Sequence, residues 1–326
     1  MQEEPILKVE NLQTYFFTTR GMIKAVDDIS FSLWPGETLG IVGESGSGKS
    51  MTAWSILGLV PKPAGRIVGG RILYRGENLL EKSASQMREI RGRHICMVMQ
   101  DPLTSLNPVF TVGDQIIETL KIDSSRTSGG HRERAVELLS SVQIPAPESR
   151  MEGFQHQMSG GMRQRVVGAI AISRSPQILI ADEPTTSLDA TIQLQYLKML
   201  KDIQTQTGAA IIFITHDFGI VARMCDRVAV MYAGKMVEQA QVLQLFDSPA
   251  HPYTEALLKS VPDLDVDVDF LPSIEGQPPT LDDLPEGCAF APRCPYVFEK
   301  CEEYPDEFTV ESEHTARCWR LGGAVA

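Results

Sequence analysis

The sequence predicts an α/β fold built on a parallel sheet, and three observations carry that expectation. Residues 178–181 and 209–215 are near-continuous apolar runs, as strands buried on both faces require. A segment of helical period over residues 191–203 lies between them and suits a crossover between parallel strands. A Gly-rich loop, Gly43-Glu44-Ser45-Gly46-Ser47-Gly48-Lys49-Ser50, separates the apolar run 38–42 from an apolar helical stretch at 51–59.

The bulk properties bound what such a chain does. With 326 residues and 43% apolar composition it can bury one large domain and carry an extension. A formal charge of -12 argues against a phosphate-backbone surface, so nucleic acid is not an expected partner. No run approaches the roughly 18 to 20 apolar residues of a spanning helix, so membrane work has to pass through partner chains. The acidic start, Met1 to Glu4, has no apolar run behind it, which predicts a chain that stays in the cytoplasm.

Along the chain, residues 6–42 read as β-rich, with runs at 6–9, 29–33 and 38–42 and a Pro35-Gly36 turn. Further strands are expected at 72–74 and 94–99. Helical period takes over from about 112 to 158, broken by a polar loop at 123–130, and predicts a helical subdomain at about 110–165. Residues 1–245 are expected to form the main domain and 246–326 a C-terminal extension, reached through a Pro- and Asp-rich connector at 262–285.

The Gly-rich loop fits the P-loop pattern in the strand-loop-helix context that the pattern needs. Glycines such as Gly43, Gly46 and Gly48, with Ser45, let backbone N–H groups turn toward a β-phosphate at a helix N-terminus; Lys49 bridges β- and γ-phosphates and Ser50 ligates magnesium. The run 178–181 ends in Asp182 and Glu183. Asp182 is expected to hold magnesium and Glu183 to take a proton from the attacking water.

Of the six cysteines, Cys96 and Cys225 stand alone in apolar patterns and read as small core residues. Cys288, Cys294, Cys301 and Cys318 crowd together in the extension with the spacing Cys-x5-Cys-x6-Cys-x16-Cys. From spacing alone, tetrahedral zinc, an iron-sulfur cluster and separately buried thiols all stay open. His314 is expected at the surface, with ligation of the same metal as the alternative.

Met158-Ser159-Gly160-Gly161-Met162-Arg163-Gln164-Arg165 resembles the signature sequence of ABC ATPases, except that Met162 replaces the commonest glutamine. The resemblance implies a P-loop NTPase of ABC type, in which Ser159, Gly160 and Gly161 open a helix that caps the γ-phosphate of ATP bound to a companion subunit. It also implies a Q-loop glutamine at Gln100, touching magnesium or its water, a D-loop at Ser187-Leu188-Asp189, and a switch histidine at His216 contacting the γ-phosphate. Phe16 matches the adenine-stacking position better than Tyr15 or Phe17.

Three stretches resemble importers of dipeptides and oligopeptides: residues 100–108 beginning Gln100-Asp101-Pro102, then His251-Pro252-Tyr253-Thr254, and the tail Gly287-Cys288-Ala289-Phe290-Ala291-Pro292-Arg293-Cys294-Pro295. The implied partners are a second, different ATPase subunit, two transmembrane permease subunits and an extracytoplasmic binding protein. The implied cofactors are ATP, Mg2+ and a [4Fe-4S] cluster on the four tail cysteines, with zinc as the alternative. The chain is then peripheral, on the cytoplasmic face of the membrane. Import of nickel, glutathione or a sugar is the alternative cargo, and a non-transport ABC ATPase the alternative class.

Overall fold

The computed structural model describes residues 4–100, 105–122, 130–186, 188–261 and 273–323. The chain divides into two compact units, one of residues 1–34, 38–81 and 214–326, the other of residues 35–37 and 82–213.

In the first unit, β1 (Leu7–Thr18) and β2 (Gly21–Leu33) form a bulged antiparallel pair, extended by β4 (Gly65–Tyr74) and β5 (Glu77–Asn78). A second sheet contains β3 (Thr38–Val42), fully buried and parallel to β9 (Arg227–Tyr232), with Val42 opposite Val230. Burial on both faces explains why β3 has no polar alternation. Beyond β9, β10 (Lys235–Gln241), β12 (His314–Ala316) and β11 (Phe308–Glu311) add antiparallel neighbours, so the C-terminal hairpin continues the sheet. Helices α1 (Lys49–Ile56), α8 (Phe218–Met224), α9 (Val242–Asp247) and α10 (Pro252–Lys259) belong to this unit. Cys225 ends α8 with its sulfur against Gly40, where a Cβ would come within 2.9 Å of it.

The second unit holds β6 (Ile95–Val98), β7 (Ile178–Asp182) and most of β8 (Ala210–Thr215), with β7 central and parallel to β6. Around them stand α2 (Ala84–Ile90), α3 (Val112–Lys121), α4 (His131–Ser141), α5 (Pro147–Arg150), α6 (Gly160–Ile172) and α7 (Ala190–Thr207). Four of these six helices start at a side-chain cap: Ser83 and Gln86 form a capping box on α2, and Thr111, Ser159 and Asp189 cap α3, α6 and α7. Cys96 sits half-buried inside β6 and is not the core residue expected of it, though burial pushes its thiol up to about 11, as suits an unreactive side chain. Part of the loop expected at 123–130 lies outside the described residues, as does part of the connector at 262–285.

Candidate functional site

β3 carries the buried backbone directly into Gly43, and α1 begins at Lys49, so the phosphate loop is a strand-to-helix turn. Its glycines Gly43, Gly46 and Gly48 have φ of 151°, 80° and 101°. At Gly43 a Cβ would collide with the carbonyl of Met231, and at Gly48 with that of Ala25, so the neighbouring backbone itself excludes a side chain there. Lys49 is 5% exposed and donates from Nζ to the carbonyls of Gly43 (2.7 Å) and Glu44 (2.8 Å), closing the loop on itself. Ser45 and Gly46 are exposed and Ser50 is half-buried on the first turn of α1. Ser47, which sequence reasoning passed over, is buried and its Oγ makes no hydrogen bond within the protein, which fits a hydroxyl that pairs with a phosphate oxygen.

In the second unit, β7 is buried throughout and ends at Asp182, 4% exposed. Glu183 follows with φ of 43°, a left-handed conformation that costs a non-glycine residue about 1–3 kcal/mol and persists only where the surroundings enforce it. The parallel register pairs Val98 with Ala181, so two residues further along Gln100 meets Glu183. Gln100 Nε2 donates to Glu183 Oε2 at 2.8 Å, and Thr186 Oγ1 donates to the same oxygen at 3.1 Å. Sequence reasoning named Gln100 and Glu183 separately and missed Thr186, whose only signal was its place in the turn after the carboxylates.

Ser159 is exposed and caps α6, its hydroxyl accepting from the Met162 N–H at 3.3 Å. The two glycines behind it differ. A Cβ on Gly160 would meet nothing within 4 Å, whereas one on Gly161 would come 2.5 Å from Ile192 Cγ2 of α7. With Gly160 facing open space, the helix start is placed to present its first-turn N–H groups to an anion. Asp189 caps α7, accepting from the N–H groups of Thr191 (3.1 Å) and Ile192 (3.0 Å); Ser187 beside it lies outside the described residues, as do 101–104 behind Gln100. His216 is exposed in the first unit, one residue past β8, and the adjacent Asp217 caps α8.

Of the three candidate aromatics, Tyr15 donates its hydroxyl to Asp27 and Phe17 lies under Arg66, 5.5 Å from its ring centre. Phe16 is half-buried, its ring over Gly65 next to Val60.

The tail cysteines are all free of disulfides, and Cys288, Cys294, Cys301 and Cys318 line one small pocket together with His251 and Phe290. Burial pushes the Cys288 thiol up to about 11 and also raises those of Cys294 and Cys318. Among the described residues no group of three or more His, Cys, Asp or Glu side chains is gathered as a single ion would need. His314 corrects the expectation of a surface residue: it is 1% exposed and donates from Nε2 to Glu238 Oε1 at 2.8 Å. The pairing of β10 with β12 buries it, with Glu238 opposite Ala316. It is not among the residues lining the cysteine pocket.

Two family models match: ABC transporter over residues 26–186, and the oligopeptide/dipeptide transporter C-terminal region over residues 237–301. A probable peptide ABC transporter ATP-binding protein of Sinorhizobium fredii is 48% identical, covering 100% of this chain and 99% of its own length. The dipeptide transport ATP-binding protein DppD of Bacillus subtilis is 48% identical, covering 97% of this chain and 95% of its own. Among solved structures, cbiO1 of Clostridium perfringens, part of an ABC transporter complex, superposes with a TM-score of 0.65 at 28% identity, over 76% of this chain and 92% of its own. Among the described residues no helix is long and apolar enough to cross a membrane. The chain belongs to the ATP-binding, ATP-hydrolysing subunits of ABC transporters, in the branch that carries the oligopeptide/dipeptide transporter C-terminal region.

Proposed function

We propose that this ATPase subunit powers the import of di- and oligopeptides, paired with a second, different ATPase subunit beneath two transmembrane permease subunits that receive cargo from an extracytoplasmic binding protein. The observation that carries the cargo is the joint match of residues 26–186 and 237–301, with relatives of near-equal length named for peptide transport. In this reading residues 1–245 are the motor, with a helical subdomain at about 110–165, and 246–326 the appended region. The chain sits at the cytoplasmic face of the membrane through its partners.

The roles combine the chemistry of the phosphate loop with what the resemblance to ABC ATPases implies. Gly43, Ser45, Gly46 and Gly48 present the phosphate cradle, Lys49 offsets β/γ charge, and Ser50, Asp182 and Gln100 supply the hard oxygen donors that magnesium takes. Phe16 stacks on adenine. Glu183 accepts the proton of the attacking water, with Gln100 and Thr186 fixing its carboxylate. His216 contacts the γ-phosphate. Ser159, Gly160 and Gly161 close over the triphosphate held by the companion, so ATP joins the two subunits and hydrolysis releases them, with Asp189 at that junction.

The four tail thiols suit a [4Fe-4S] cluster. Three are raised by burial, so the pocket favours neutral sulfur unless a bound metal stabilises the thiolates, and it is the resemblance to peptide importers that favours iron-sulfur over zinc there. When bound, such a cluster supplies one-electron redox chemistry or a cross-link between segments that are distant in sequence. A brown protein containing iron and acid-labile sulfide is expected; a colourless protein with zinc at the same cysteines would refute the cluster.

The transport reading is tested in reconstituted vesicles with the binding protein, both permeases and both ATPases. Peptides should stimulate phosphate release, and stimulation by nickel, glutathione or a sugar in their place would overturn the cargo.

A further inference from the structure

Glu44, the second residue of the phosphate loop, is held on every polar group. Its N–H donates to the Tyr253 hydroxyl at 2.8 Å. Its carbonyl accepts from Lys49 Nζ at 2.8 Å and from the Ser47 N–H at 3.2 Å. Its carboxylate takes a two-pronged contact from Arg293, Nη1 to Oε2 at 2.7 Å and Nη2 to Oε1 at 3.1 Å.

Arg293 is equally committed. Its other donors reach the Tyr232 hydroxyl (3.2 Å) and the carbonyls of Glu275 (3.0 Å) and Ile274 (3.4 Å), which accounts for all the N–H groups of a guanidinium. The side chain is 4% exposed and that of Glu44 26%, so solvent reaches only one edge of the pair. A desolvated fork-to-fork contact of this kind is among the stronger and more directional polar interactions in proteins. Arg293 and Tyr253 come from the C-terminal region, 249 and 209 residues from Glu44.

We propose that Arg293 and Tyr253 are positioning residues for nucleotide binding. By fixing the Glu44 peptide they keep Lys49 on its two carbonyl anchors, and the loop meets the triphosphate in one shape. The proposal rests on residues 43–50 being the phosphate cradle. A loop ordered in advance gives up less freedom on binding, so the clamp acts on affinity. Neither residue reaches the reacting atoms, and the cost of losing one should appear in KM with little change in kcat.

The test uses the assembled transporter, with MgATP for turnover and a fluorescent ATP analogue for binding. Arg293→Ala should raise both the KM for MgATP and the analogue's Kd by about tenfold, the loss expected for a charge-assisted contact, while kcat stays within about twofold. Arg293→Lys should recover part of the affinity, because a point charge replaces the fork. Glu44→Gln should weaken binding similarly, and the double variant Glu44→Gln/Arg293→Ala should be no worse than the weaker single, as for two halves of one contact. If Arg293→Ala prevents assembly, Tyr253→Phe carries the test: it removes one oxygen from a packed ring and should raise KM about threefold.

Lys49→Ala separates the two levels of inference. Nucleotide affinity unchanged in Lys49→Ala would overturn the phosphate-cradle reading itself. Affinity lost in Lys49→Ala, with wild-type KM in Arg293→Ala or, where that variant fails to assemble, in Tyr253→Phe, would overturn the clamp alone. A lowered melting temperature with unchanged KM would equally overturn it, since a merely structural role moves stability and not KM.

Discussion

Replacing Glu183 by glutamine separates the shape of the site from its base. The amide matches the carboxylate in size, and its oxygen remains able to accept from Gln100 Nε2 and Thr186 Oγ1, which now reach Glu183 Oε2 at 2.8 and 3.1 Å. The left-handed backbone at this position, φ 43°, is no harder for glutamine than for glutamate, so the fold carries no new strain. Exchanging a charged for a neutral acceptor weakens these contacts by about 1–2 kcal/mol. Losing the proton acceptor is the larger effect, about 10²- to 10⁴-fold in turnover, or about 2.7–5.5 kcal/mol on the barrier. Steady-state phosphate release from the reconstituted transporter, with analogue binding measured in parallel, reads both quantities. Turnover should fall by that factor while nucleotide affinity stays close to wild type. Near-wild-type release would refute Glu183 as the base. Loss of binding in step with turnover would show that it builds the nucleotide site instead.

Other expectations follow from single contacts. Gly161→Ala places a Cβ 2.5 Å from Ile192 Cγ2 and should cost about 1–3 kcal/mol by thermal or urea unfolding, with Ile192→Ala relieving much of that in the double variant. Gly160→Ala meets nothing within 4 Å and should leave stability unchanged, so any loss of phosphate release in the assembled transporter reports the role of the helix start in trans. Burial depresses the His251 pKa from 6.5 to about 4, against a smaller opposing pull from Glu238. The unfolded chain therefore binds the extra proton between about pH 6.5 and 4, and stability should fall by about 3 kcal/mol as pH drops through that window, then level off. In His251→Asn, whose side-chain oxygen can still accept from the Tyr253 N–H, that part of the pH slope should vanish in urea titrations.

Much of the site was readable because its strands are buried and end in diagnostic residues. β3 occupies the predicted run 38–42, and β7 adds only Asp182 to the run at 178–181. The first hairpin was harder. Strands expected at 6–9 and 29–33 extend over Leu7–Thr18 and Gly21–Leu33, because the polar residues that break their alternation are absorbed by bulges. Asn11 and Asp28 both take positive φ, 49° and 61°, and Asn11 Nδ2 bonds Asp28 Oδ1 across the pair at 2.8 Å. The burial of His314 was invisible for a related reason. Its neighbours Glu311 and Glu313 are polar, and the partner that buries it, Glu238, lies 76 residues away. Glu44 was hidden within its own motif, where that position admits any residue, and only the fold reveals the arginine on its far side.

The C-terminal region is therefore part of the unit that carries the phosphate loop. β12 pairs with β10, and Phe290 packs on Tyr232 and Tyr253 with ring centres 5.4 Å apart in both cases. Tyr253 and Arg293 then reach Glu44 from that aromatic cluster. Arg293 lies between Cys288 and Cys294, so a displacement of this segment, whatever the thiols hold, pulls on the guanidinium before it reaches any other part of the loop. Gln100, Thr186 and Glu183 meet one another inside the second unit and owe nothing to that segment. A perturbed tail should accordingly loosen the grip on nucleotide while leaving the base and its two donors in register. Turnover at saturating MgATP is the measurement in which tail damage should be least visible, and turnover at low MgATP the one in which it should be greatest.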